Sequence, residues 1–269
     1  MSRARTAVKI AAASADRVRR LGPGLVVLIY HRVGQRAAIE VDLSRAAFAD
    51  QIAFLAATGS VVTLDEGLTR LADADAPRVP MIAVTFDDGT TDFVDEALPV
   101  LVQHGVPATL YVATRFIDEG IAFPDDGAPL SWAALGDARA SGLLDVGSHT
   151  HSHALLDRLP PSEVPHELDR SIALIEEHVG VTPRHFAYPK AVAGSREADL
   201  AVRARFASAA IAGTRSNRYG TTDPHRLARS PIQVSDGDRW FRHKVDGGMA
   251  LEDTLRRFAN RRRYADATT

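Results

Sequence analysis

Cysteine is absent from the 269 residues. Its absence excludes disulfides, thiolate metal ligands and a cysteine nucleophile, and fits a reducing compartment. Long hydrophobic runs are missing too. Nothing approaches the roughly 20 consecutive apolar residues of a membrane-spanning helix. Near the start, Lys9 interrupts the apolar residues and Ile10 to Ala13 is too short for the core of a secretion signal. The expected location is therefore the cytoplasm. An excess of charge of either sign is missing: 32 Lys and Arg nearly balance 34 Asp and Glu, the net charge is −2, and no global field attracts nucleic acid. A glycine-rich nucleotide loop is absent, which argues against an open dinucleotide-binding sheet. Nothing in the chain indicates an oligomeric state.

What is present fits a folded α/β protein. Hydrophobic residues make up 45% and charged residues 25%, as in a chain with a sizeable core. Residues 1–24 read as a basic helix and linker, solvated, with weak peripheral membrane contact as a lesser option. Residues 25–250 read as one catalytic domain, and 251–269 as a basic helix and polar tail. Within the domain, apolar strand-like runs alternate with amphipathic segments. Strands are expected at Leu25–Tyr30, Val61–Thr63, Met81–Phe86, Ala108–Val112, Leu143–Val146, His185–Tyr188, Ser208–Ala212 and Leu227–Val234. Helices are expected at Arg45–Thr58, Asp65–Leu71, Asp92–His104, Ser131–Ala140, Glu163–His178 and Arg196–Arg205. This alternation implies a parallel sheet closed in a barrel-like manner. Polar clusters follow the strands: His31, Asp87-Asp88, His149 to His153, and the residues after Tyr188. In such barrels the C-terminal strand ends carry the site.

The segment Met81 to Gly89, MIAVTFDDG, is central. Two adjacent carboxylates at the end of a buried strand lose hydration, and a metal or a catalytic task would offset that cost. Alone, Asp-Gly also reads as a turn. His149 and His153 stand four residues apart after another strand. That spacing lets two imidazoles converge on one ion. One added carboxylate makes a two-His-one-carboxylate set with open positions, suited to a catalytic metal. His151 points the other way.

TFDDG (Thr85 to Gly89) followed by HTHSH (His149 to His153) resembles the polysaccharide deacetylase family, the NodB-homology or carbohydrate esterase family 4 enzymes. The approach to the second motif, Ser131 to His153, is also similar. The resemblance implies a distorted (β/α) barrel of the NodB-homology type. It implies that Asp88, His149 and His153 ligate a divalent metal, zinc first, with cobalt, nickel or manganese also compatible. Asp87 would be the general base. The expected activity is hydrolytic removal of N-acetyl groups from an N-acetylated sugar or glycan, with release of acetate. Hydrolysis of another C–N bond, in a cyclic ureide or imide, and non-catalytic carbohydrate binding are the alternatives.

The chain departs from the family pattern in two places. The third motif usually carries an Arg after its aromatic, but Phe186-Ala187-Tyr188-Pro189-Lys190 stands there. Arg184, Arg229 and Arg32 are candidates to replace that Arg, and the backbone N–H of Lys190 could help hold an oxyanion. The fifth motif, Leu-x-x-His, is absent. His31, at the end of the first strand, is the expected acid. This resembles the branch, including the poly-N-acetylglucosamine deacetylases, in which an N-terminal His takes that task. His225 and His243 are the weaker choices. Trp132 and Tyr188 are candidate substrate contacts, and Trp240-Phe241 could form a sugar-stacking wall, although core packing also suits these aromatics.

Overall fold

A computed structural model describes residues 3–18 and 22–255, with side chains of the first helix from 7 to 16. Ten strands occur among them: β1 (Gly24–Tyr30), β2 (Arg32–Val33), β3 (Asp42–Leu43), β4 (Met81–Phe86), β5 (Ala108–Val112), β6 (Leu144–Ser148), β7 (His185–Ala187), β8 (Ser208–Ala212), β9 (Asn217–Arg218) and β10 (Leu227–Pro231). Nine α-helices lie wholly within the described residues: α1 (Arg3–Val18), α2 (Arg45–Ala57), α3 (Leu64–Ala72), α4 (Leu98–His104), α5 (Thr114–Glu119), α6 (Trp132–Arg139), α7 (Val164–Val179), α8 (Arg196–Arg203) and α9 (Gly237–Val245).

Seven strands run parallel in the order β1-β4-β5-β6-β7-β8-β10, and β10 pairs back onto β1. The result is a closed, distorted (β/α) barrel. β9 adds to β1 in antiparallel sense, and β2 pairs with β3 beside the barrel mouth. Closure explains why β1 and β4 are buried along their whole length, and why both read as continuous apolar runs. The interior holds Leu25, Val27, Met81, Ala83, Tyr111, Ala187, Ala210 and Leu227. Leu64 and Leu71 of α3 join that cluster, so α3 plugs the N-terminal mouth. An outer layer, including Phe48, Phe86, Phe93, Leu101, Leu135 and Ile175, seats the helices on the sheet.

Several elements differ from the sequence expectation. Val61–Thr63 contributes a single bridge, Val61 to Ile82, because Thr63 caps α3 instead of extending a strand. The helix expected at Asp92–His104 opens with a π turn over Phe93–Ala97. Pro99 has no N–H to donate to Asp95, which loosens the ladder there. β10 stops at Pro231, three residues before the expected end.

The basic N-terminal helix is not solvated throughout. Lys9, Ala12 and Ala13 are buried, and the two alanines pack with Trp240 and Met249. Lys9 reaches the buried carboxylate of Asp236. The surroundings of Lys9 are therefore α9 and its flanks. A helical stretch covers residues 250–255, and the remainder of the expected C-terminal helix lies outside the described residues. Among the described residues no helix is long and apolar enough to cross a membrane.

Candidate metal and catalytic site

β4 runs directly into Asp87, whose backbone N–H still donates to Tyr30 O of β1 at 3.1 Å. The chain then turns sharply. Asp88 adopts a φ of +78° and Gly89 a φ of +100°. The positive φ favours glycine at 89, and an added Cβ would also sit tightly, 3.2 Å from Val112 and 3.3 Å from Ile117. The turn is pinned by Ala113 N–H to Asp88 O at 3.0 Å and Leu130 N–H to Gly89 O at 2.9 Å. Adjacent carboxylates thereby acquire different surroundings.

Asp87 points to a guanidinium. Arg229, fully buried on β10, donates to both Asp87 oxygens, Nη1 to Oδ1 at 2.6 Å and Nη2 to Oδ2 at 2.8 Å, and to Thr85 Oγ1 at 3.2 Å. Burial alone would push the Asp87 pKa up, but Arg229, with the nearby His149 and His31, overrides it and holds Asp87 well below the usual carboxylate range. Among the three arginines considered for the third-motif position, only Arg229 reaches Asp87. Arg184 pairs with Asp65 at 3.3 Å. Arg32 donates to Asp125 O at 2.8 Å and stands 4.0 Å from Asp42 and Asp92.

Asp88 points to the two histidines. Single ligand atoms of Asp88, His149 and His153 lie within 4.8 Å of one another. His153 Nε2 is 3.5 Å and His149 Nε2 3.8 Å from Asp88 Oδ1. These atoms are too far apart to hydrogen-bond, yet close enough to share one ion. His149 Nδ1 lies 2.7 Å from Ala187 O. A carbonyl only accepts, so that ring carries its proton on Nδ1 and turns the Nε2 lone pair inward. Burial pushes the His153 pKa down to about 4, and neighbouring His149 adds to the shift. His153 is thus neutral and available as a ligand near neutral pH. The donor set fits a borderline divalent ion.

The loop bearing these histidines is held from outside. Glu167, in the first turn of α7, accepts from His151 N–H at 3.1 Å, Ser152 N–H at 2.8 Å and Ser152 Oγ at 2.8 Å. The sequence reading missed this clamp. An acidic residue in a first helical turn is ordinary, and nothing local ties it to a loop 15 residues earlier. His151 turns away, with Nδ1 3.0 Å from Thr114 Oγ1.

His31 follows the last residue of β1, and Tyr30 is in register with Phe86 of β4. His31 and Asp87 are therefore next to each other at the barrel rim, and the His31 charge bears on Asp87. The following strand, β2, is fixed by Val33 N–H donating to the buried Asp92 carboxylate at 2.7 Å. Lys190 sits just past β7 with a φ of +52°, and its charge bears on His153.

Other expected residues lie elsewhere. Tyr188 is buried against Phe186, with its hydroxyl donating to Asp199 at 3.2 Å, so its ring packs in the wall instead of facing a ligand. Trp132 is half-buried; it stacks on His178 at 4.7 Å and donates to Asp118 at 3.3 Å, which occupies one face and its N–H. Phe241 is core, and Trp240 lies beneath α1. His225 bonds to Phe206 O at 2.8 Å, and His243 stacks on Trp240.

A family model described as polysaccharide deacetylase matches residues 74–207, a span that includes Asp87, Asp88, His149 and His153. The chain belongs to the polysaccharide deacetylase family. The structure of IcaB from Ammonifex degensii superposes with a TM-score of 0.72 at 27% identity, covering 84% of this chain and 98% of that one. YxkH of Bacillus subtilis is 24% identical over 166 residues, 61% of this chain and 56% of YxkH. YlxY of the same organism is 24% identical over 114 residues, 42% of this chain and 32% of YlxY. The matches thus span only about a third to a half of these two relatives. This family member's barrel is of the NodB-homology type. His31 and Arg229 fall outside the matched residues, on β1's end and β10.

Proposed function

We propose that the protein is a metal-dependent hydrolase that removes N-acetyl groups from an N-acetylated sugar or glycan. The observation that carries this reading is one rim with three parts: the Asp88-His149-His153 set, the Arg229-clamped Asp87 beside it, and His31 on the adjoining strand end. Family membership supplies the acetylated saccharide as substrate class.

A divalent ion held by Asp88, His149 and His153, zinc being the first choice, would polarise the acetamide carbonyl and acidify the attacking water. Asp87 takes the proton of that water. Its low pKa makes it a weak base, but one that is ionised at every working pH and held in one orientation by the Arg229 fork. Arg229 acts as a positioning residue. The backbone N–H of Lys190 is the candidate donor to the oxyanion. His31 protonates the departing amine, and the C–N bond breaks to leave acetate and the free amino sugar.

Acetate release should be measured with zinc- or cobalt-loaded protein on free, nucleotide-linked and lipid-linked N-acetylated saccharides. Release that Asp87→Asn abolishes and His31→Ala strongly lowers is the expected result. One bound ion per catalytic set with no release from any saccharide would favour a different amide substrate, such as a cyclic imide.

A further inference from the structure

The Arg229 fork can orient Asp87 only if the guanidinium is itself held. Nη1 and Nη2 donate to Asp87 and Thr85, but Nε has no hydrogen-bond partner among the described residues. All three hydrogen bonds therefore leave from the Nη end of the group. They fix its direction within the guanidinium plane and leave the tilt of that plane less determined.

The face of the guanidinium is covered by Tyr111 on β5. Arg229 Cζ lies 5.0 Å from the centre of the Tyr111 ring. Both side chains are fully buried. A cation within about 6 Å of an aromatic centroid is attracted to the ring, and more strongly where water is excluded. The ring has room for this position because of its neighbour. Tyr111 is in register with Gly147 of β6. A Cβ at Gly147 would stand 2.5 Å from Tyr111 Cδ1 and 2.8 Å from Cε1, closer than packed atoms come. Gly147 thus serves the site by having no side chain, two residues before His149 in the same segment.

We propose that Tyr111 is a positioning residue of the rim: its ring holds the plane of Arg229 and, through Arg229, the orientation of Asp87. The inference rests on the reading of Asp87 as the base. It concerns the ring and not the phenol. The Tyr111 hydroxyl is buried without a hydrogen-bond partner among the described residues. Burial pushes its pKa up, so it stays neutral and adds no charge beside the Asp87-Arg229 pair. A bare phenyl ring at 111 would cover the guanidinium equally well. An aliphatic side chain of similar volume would fill the space without a π face.

The test uses the full, zinc-loaded chain with Tyr111→Met, which fills irregular space without a ring, and Tyr111→Phe. In wild type, the Arg229 guanidinium protons should resonate upfield in NMR spectra, shielded by the ring above them. Arg229→Lys assigns those signals by their loss. The upfield shift should vanish in Tyr111→Met and return in Tyr111→Phe. On the saccharide that the wild type deacetylates, Tyr111→Met should lower kcat by about 10²-fold, as for a slightly misplaced catalytic group, with KM and bound zinc unchanged. Tyr111→Phe should rescue the turnover. Unshifted guanidinium signals in wild type would overturn the proposal, and that reading stands even if Tyr111→Met does not fold. So would wild-type kcat in a folded Tyr111→Met, or an equal loss in both variants, which would assign the effect to the hydroxyl. Upfield signals in a wild type that releases acetate from no saccharide would overturn the deacetylase reading and still support the hold of Tyr111 on Arg229.

Discussion

Asp87 and Asp88 are neighbours in the chain, yet one faces a guanidinium and the other two imidazoles. The positive φ at Asp88 produces that divergence, because it swings the second carboxylate away from the first. The Asp87-Arg229 pair is buried and bidentate, so its two members depend on each other. Arg229→Ala would strand a buried carboxylate, and a loss of about 3–5 kcal/mol is expected in denaturant unfolding. Arg229→Lys keeps the charge but not the fork. Turnover should then fall while much of the stability remains, which parallel kinetics and melting curves would show. His31→Ala is expected to lower kcat by about 10²–10⁴-fold, as for loss of a general acid, with zinc affinity unchanged. A KM effect without a kcat effect would reassign His31 to binding.

The loop from His149 to His153 has little regular structure of its own, and α7 holds it through Glu167. Three donors converge on that one carboxylate. Glu167→Ala should leave the barrel folded and relax the loop, weakening zinc binding about 10–100-fold in chelator competition, as for other groups that orient ligands. Unchanged affinity would mean that His149's bond to Ala187 O suffices. Length also matters at this level. The β strands end almost in step, so side chains one residue past β1, β4 and β6 share a rim. Pro99 shows the limit of pattern reading: the apolar spacing of Asp92–His104 is helical, but one missing N–H changes the type of its first turn.

Across the molecule, α1 is fastened to α9 through charge. Asp236 is buried between Lys9 and Lys244, with Lys244 Nζ at 2.7 Å. Burial pushes the Asp236 pKa up, but the two ammonium groups override it and the net shift is downward. A depressed folded-state pKa means stability that is present above the unfolded value of about 3.9 and lost as pH falls through the lower folded value. Wild type should therefore be more stable than Asp236→Asn at pH 7, and the gap between their melting temperatures should close below about pH 4. A constant gap from pH 7 to 3 would remove the charge explanation. Deleting residues 1–21 takes away Lys9 and the cover over Trp240, so a lower melting temperature is expected despite an intact rim. An unchanged melting temperature would instead fit an independent leader ahead of a domain starting near residue 25.

Period and composition alone were enough for the parallel barrel, because strands buried on both faces must be apolar throughout and helices on one face must be periodic. Asp87-Asp88 and His149/His153 were legible as polar clusters at strand ends, and the structure brings the ligand atoms of Asp88, His149 and His153 within 4.8 Å of one another. The choice of Arg229 over Arg184 and Arg32 was not readable. It depends on barrel closure, which brings β10 beside β1 and puts residue 229 across from residue 87. The surroundings of Tyr188 and Trp132 were not readable for a related reason: an aromatic near a motif looks the same in sequence whether its ring meets a sugar or a neighbouring helix. Burial of Lys9 was hidden as well, since its partner Asp236 lies 227 residues away. Local chemistry is written along the chain, whereas the pairing of distant charges exists only after closure has removed them from water.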